Sequence, residues 1–131
     1  MRPAFTILIA DRNPNVRDFL GRELAREGYT VRAADSADAL LRLASATDPA
    51  HLVILDPDLP GAAPQALLQQ LSSLLPRVPL VLHTHDRRAA TAAAPRSADP
   101  TLVVEKSGSS IVRLKQIAAV LAGPAALPTG D

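Results

Sequence analysis

The sequence predicts one α/β domain built on a parallel β-sheet. Short apolar runs rich in β-branched residues alternate with longer segments of helical period, and five such pairs follow one another along the chain. A chain of 131 residues holds one core rather than two, and buries roughly two-thirds of its unfolded surface. The chain is 47% apolar, which argues against disorder, and its aromatic residues are Phe5, Phe19 and Tyr29. The core is therefore expected to be aliphatic.

Phe5 to Ala10 reads as the first strand. Asn13 can cap the helix that follows, with Pro14 at its first position, Val16, Phe19, Leu20 and Leu24 on one face, and Gly28 as its stop. Tyr29 to Ala33 makes the second strand, and Ser36 caps a helix whose Ala37, Leu40, Leu41 and Ala44 face inward, closed by Pro49. His51 to Leu55 is a continuous apolar strand of the kind buried on both faces. After the turn at Pro60-Gly61, Pro64 opens a helix carrying Leu67, Leu68, Leu71, Leu74 and Leu75. Leu80 to His83 is the fourth strand and Leu102 to Val104 the fifth. A last helix runs from about Ser110 to Gly123-Pro124, with Ile111, Leu114, Ala118 and Leu121 inward.

The segment from Asp86 to Asp99 is the weak unit, because its apolar side chains before Pro95 are alanines, which favour helix but bury little area. A short, loosely held fourth helix stopped by Pro95 is expected there. Residues 1–122 form the domain; 123–131 read as a disordered tail or the stub of a linker.

Composition also excludes functions. Fourteen basic and thirteen acidic side chains give a formal charge of +1, too balanced to bind a phosphate backbone or an anionic bilayer by charge alone. The scarcity of aromatics removes base-stacking platforms, so no direct nucleic-acid contact is expected. The absence of cysteine excludes disulfides, thiolate catalysis and Cys-ligated zinc. The longest N-terminal apolar run is too short for a signal segment or a membrane span, so the expected location is cytoplasmic, with no membrane partner.

In an open parallel sheet, function collects where the loops leave the carboxyl ends of the strands. Those positions are Asp11, Arg12 and Asn13; Asp56, Pro57 and Asp58; Thr84, His85 and Asp86; and Glu105 and Lys106. Asp11 and Asp56 place two carboxylates in one cleft, with the Thr84 hydroxyl and the Lys106 ammonium approaching from the far side. A carboxylate can act as a nucleophile toward phosphorus when cations offset the developing charge and a hydroxyl holds the transferred oxygens.

Four segments in order carry a family resemblance. They are Ile7-Leu8-Ile9-Ala10-Asp11 followed by Pro14, Leu52-Val53-Ile54-Leu55-Asp56 followed by Leu59-Pro60-Gly61, Val78-Pro79 leading to Thr84, and Lys106. From about Thr6 to Leu121 the chain resembles the receiver domain of two-component response regulators. The resemblance implies a flavodoxin-like (CheY-like) three-layer sandwich with strand order 2-1-3-4-5. It implies Asp56 as phosphoacceptor, Asp11 and Asp56 as Mg2+ ligands, Thr84 as the hydroxyl that senses the phosphoryl group, and Lys106 as its ion-pair partner. The implied partners are a sensor histidine kinase or phosphotransfer protein and a downstream effector protein or domain. Such a domain is not an enzyme beyond self-phosphorylation from a phosphodonor and autodephosphorylation.

The departures from that pattern set further expectations. Arg12 stands where receivers usually carry a second acid. A unit-charge term at ~5 Å with an effective dielectric of ~20 is roughly 3 kcal/mol, about two decades in affinity, so Mg2+ binding is expected to be weak or absent. The guanidinium is long enough to supply in cis part of the charge that the metal supplies elsewhere. Asp58 can substitute as a metal ligand or pair with Arg12. His85 follows the hydroxyl where a small residue is usual and could crowd the entrance to Asp56. Val103 replaces the usual aromatic switch, and Ser107 a common proline. The runner-up function is a phosphorylation-independent pseudo-receiver, a protein–protein interaction module. A third reading, an aspartate-based phosphatase suggested by Asp56-Pro57-Asp58, lacks the downstream acidic motif it would need. His83 and His85 alternate away from Thr84, against a shared zinc site.

Overall fold

The computed structural model describes residues 4–93 and 101–123. Along them β1 (Thr6–Ala10), α1 (Pro14–Arg26), β2 (Thr30–Ala34), α2 (Ala37–Ala44), β3 (Leu52–Leu55), α3 (Pro64–Leu74), β4 (Leu80–Thr84), α4 (Arg87–Ala93), β5 (Thr101–Glu105) and α5 (Ser110–Ala122) follow in strict alternation. All strands pair in parallel, in the order β2-β1-β3-β4-β5. Strand bounds shift by at most one residue at either end from the sequence expectation. The expected stop at Pro95 and the expected tail beyond Gly123 lie outside the described residues.

Alternation along the strands builds two cores. Ile7, Ile9, Leu52, Ile54 and Val81 cluster with Leu20 and Leu24 of α1 and Leu114 and Ala118 of α5. Leu8, Ala10, Val53, Leu55 and Leu82 point the other way, to Leu40 of α2, Leu67, Leu68 and Leu71 of α3, and Ala90 of α4. Burial on both faces explains why these strands read as unbroken apolar runs. Each fully buried Leu or Ile contributes about 1.5–3 kcal/mol of transfer free energy, so the frame is mainly aliphatic, with Tyr29 as a buried aromatic member of the first cluster.

Local signals hold where the sequence placed them. The Asn13 side chain accepts from the backbone N–H groups of Asn15 and Val16, and Ser36 accepts from that of Ala39. Gly28 has φ of 96° just past α1, a conformation that only glycine adopts without strain. α4 keeps a single buried side chain, Ala90.

Three side chains expected inward are not. Phe19 is 42% exposed because Leu20 and Leu24 occupy the stripe against the sheet, leaving Phe19 about 100° away at the rim. Leu74 ends α3 at the edge of the shallow groove between α2 and α3, and Leu121 sits in the last turn of α5; both remain exposed.

Candidate functional site

The chain leaves β1 for the edge strand β2 and returns across β1 to β3, so the topological switch point lies between β1 and β3. There Ala10 and Leu55 are register partners, and the Asp56 N–H donates to the Ala10 carbonyl at 2.8 Å. The residues that follow, Asp11 and Asp56, are thereby fixed side by side, and both are buried. On the other side Thr84 and Glu105 are register partners, and the Lys106 N–H donates to the Thr84 carbonyl at 2.7 Å, which starts the Lys106 side chain at the same end of the sheet.

The charged groups meet. Lys106 Nζ lies 3.1 Å from Oδ2 of Asp11 and 3.5 Å from Oδ2 of Asp56, and its side chain is nearly buried. Arg12 Nε lies 3.2 Å from the same Oδ2 of Asp56, while its Nη2 reaches Oδ2 of Asp58 at 3.7 Å. Two buried carboxylates therefore face one buried ammonium and one guanidinium that is half in solvent, an arrangement that relieves their mutual repulsion without a further ion. Asp58, itself half exposed, lies within ion-pair reach of Arg12.

Backbone donors hold the other oxygens. Oδ1 of Asp11 accepts from the Asn13 N–H at 2.8 Å, and Oδ1 of Asp56 accepts from the Asp58 N–H at 3.1 Å. Oδ2 of Asp56 is buried and, among the described residues, accepts no hydrogen bond of good geometry; its neighbours are the two cations. The Thr84 hydroxyl accepts from the Asp86 N–H at 3.0 Å, which leaves its own proton free to donate. Thr84 is buried at this end of the sheet and makes no hydrogen bond to Asp56 among the described residues.

Three contacts were not legible from the sequence. Arg17 of α1 donates from Nη1 to the Asp11 carbonyl at 2.8 Å, bracing the loop from behind; a cation six residues after Asp11 carries no local signal of this. His83 is buried and its Nε2 lies 2.9 Å from Oγ of Ser110. The Ser110 hydroxyl proton goes to the Ser107 carbonyl at 2.9 Å, so His83 carries its proton on Nε2 and donates it to Ser110. His83 Nδ1 is then a buried acceptor with no partner among the described residues. Burial lowers the His83 pKa to about 4, helped by the nearby Lys106 charge. The parity of His83 with Val81, which faces α5, was the available signal.

His85 is exposed and shares with Asn15, Phe19, His83 and Ser107 the lining of a groove of about 540 Å³ between α1 and the loop that opens α5. Both histidines thus line the α1 and α5 side, as strand alternation requires.

Comparison with known proteins agrees with this fold. The family model described as "Response regulator receiver domain" matches residues 7–118. A DNA-binding transcriptional regulator, NtrC of Bradyrhizobium sp. (strain RP501 Parasponia), is 32% identical over 93 residues, covering 71% of this chain and 19% of that protein's length. The receiver domain protein (CheY-like) of Methanospirillum hungatei JF-1 superposes with a TM-score of 0.79 at 22% identity, covering 91% of this chain and 94% of that one. The response regulator TrrA of Thermotoga maritima, solved in complex with Mg(2+)-BeF, superposes with a TM-score of 0.68 at 24% identity, covering 88% of this chain and 99% of that one. At such identities the structural likeness speaks for the fold, and the family match over 7–118 speaks for the lineage: the chain belongs to the response regulator receiver domains of two-component signalling.

Proposed function

We propose that this receiver accepts a phosphoryl group on Asp56 from the phosphohistidine of a sensor histidine kinase or phosphotransfer protein, and changes its binding to an effector protein or domain in response. One observation carries the reading. Among the described residues, Oδ2 of Asp56 is a buried carboxylate oxygen with no hydrogen bond, set beside two cations that can offset the charge of a phosphoryl group transferred to it. Lys106 then offsets charge on the transferred group, and the free proton of Thr84 serves one of its oxygens.

The route outward runs through Thr84. Its hydroxyl holds the Asp86 N–H, and Asp86 in turn accepts from the Ala89 N–H at 3.0 Å at the start of α4. A Thr84 hydroxyl drawn toward a phosphoryl group pulls on a helix anchored by one buried alanine. Val103, half-buried on β5, offers no ring to swing, so α4 rather than an aromatic residue carries the change.

Mg2+ is the metal that receivers generally use, and the residues here fit it poorly. Lys106 and the Asn13 N–H engage Asp11, the Asp58 N–H and two cations engage Asp56, and a guanidinium stands where a second acid would ligate. Among the described residues no three acidic or histidine side chains converge on one ion position. In this reading Mg2+ binding is weak or absent.

Incubation with a small acyl phosphate followed by intact-mass measurement tests the function. Wild type should gain one hydroxylamine-labile phosphoryl group and Asp56→Asn none. Equal labelling of Asp56→Asn, or no labelling of wild type by any donor, would leave the phosphorylation-independent interaction module as the function.

Among the described residues no helix is long and apolar enough to cross a membrane.

A further inference from the structure

The cleft that fits Mg2+ poorly is not short of positive charge. Asp11 and Asp56 bring two negative charges; Lys106 and Arg12 bring two positive ones within 3.5 Å of them. The two cations differ in freedom. Lys106 is nearly buried and bridges both carboxylates, whereas the Arg12 side chain is 52% exposed and, among the described residues, is held by Asp56 and the exposed Asp58. Arg12, half in solvent, is therefore the more mobile of the two cations, and its planar fork of donors matches phosphoryl oxygens better than a single carboxylate oxygen.

We infer that Arg12 is a tethered counter-ion that takes the place of the metal, so that phosphoryl transfer to Asp56 proceeds without a divalent cation. This rests on Asp56 being the acceptor. Oδ2 of Asp56 bonds to phosphorus as the donor's P–O bond breaks, and the donor carboxylate leaves with the bonding pair; no proton or electron is exchanged. With phosphohistidine the bond that breaks is P–N, and the ring nitrogen leaves with the bonding pair as neutral imidazole, its other nitrogen already carrying a proton. The carboxylate becomes an acyl phosphate and the cleft gains about one negative charge. Arg12 turns from Oδ2 to the phosphoryl oxygens at that atom, and Asp58, its second partner, keeps the guanidinium over the cleft throughout. The same geometry explains why the residue after Asp11 tolerates a cation: its charge is used twice, on the carboxylate before transfer and on the phosphoryl group after it.

The test compares initial rates of labelling by a small acyl phosphate in EDTA and in Mg2+, read by intact mass, for the full chain and for Arg12→Gln, Arg12→Asp and Asp56→Asn. Wild type should label equally fast in both buffers. Arg12→Gln should lose at least ~10-fold of the rate in EDTA, and Arg12→Asp should label only with Mg2+. Wild type labelling only with Mg2+, or Arg12→Gln matching wild type in EDTA, would overturn the inference while leaving Asp56 as acceptor. Wild type inert in both buffers while Arg12→Asp labels with Mg2+ would show that Arg12 blocks rather than serves, and also overturns it. No label on Asp56 in any variant would sink the proposed function, and the inference with it.

Discussion

Lys106 and Asp11 meet at the heart of the cleft, Nζ to Oδ2 at 3.1 Å, with the ammonium also 3.5 Å from Asp56 and nearly closed to solvent. A buried ion shared by two carboxylates leaves an uncompensated charge when it is removed. Lys106→Met should therefore destabilise the fold by about 3 kcal/mol, and adding Asp11→Asn should recover at least about 1 kcal/mol of that. Urea unfolding of the single and double variants reads both values. A loss under about 1 kcal/mol for Lys106→Met would mean that the ammonium is solvated and bridges nothing.

His83 gives the stability a pH dependence of known sign. Its folded pKa, about 4, lies below the ordinary value of 6.5, so the unfolded chain binds the extra proton first as pH falls. Stability from this residue is complete above about pH 6.5, falls as pH drops from there, and levels off below about 4. Between pH 7 and 5 the loss should be about 1–2 kcal/mol. His83→Val should remove that part of the slope. Identical slopes for wild type and variant in urea unfolding would show that His83 titrates in the open.

α4 should be the least protected helix. Arg87–Ala93 buries Ala90 alone, whereas α1 and α5 each bury leucine against the sheet. Its amides should exchange at least ~10-fold faster than those of α1 and α5. Equal protection would show that α4 has support the packing does not reveal, and would weaken the route from Thr84 outward.

The frame of this protein was legible because its signals are local or periodic. Asn13 with Pro14, Ser36, Gly28 and the leucine rows each act within a few residues, and strand alternation assigns Ile7 and Leu8 to opposite cores with no knowledge of the partners. Phe19 was misplaced because a helical stripe has an edge, and an aromatic residue at the edge reads like one at the centre. The cleft was legible as a set of loops but not as a set of contacts. That Arg12 spans Asp56 and Asp58, that Arg17 braces Asp11, and that His83 donates a hydrogen bond to Ser110 are all consequences of side-chain reach across elements. Pairings of that kind leave no periodic trace in the chain.

The central claim is that Arg12 occupies the charge position that a metal would hold, and a Mg2+ titration tests it most directly. Arg12→Asp should bind Mg2+ at least ~10-fold more tightly than wild type, on the order of 1.4 kcal/mol, by titration calorimetry. It should also label faster on Asp56 than wild type when both are given an acyl phosphate with Mg2+. Wild type that already binds Mg2+ as tightly, and labels as readily, as Arg12→Asp would contradict the account and make the arginine a bystander pointing into solvent.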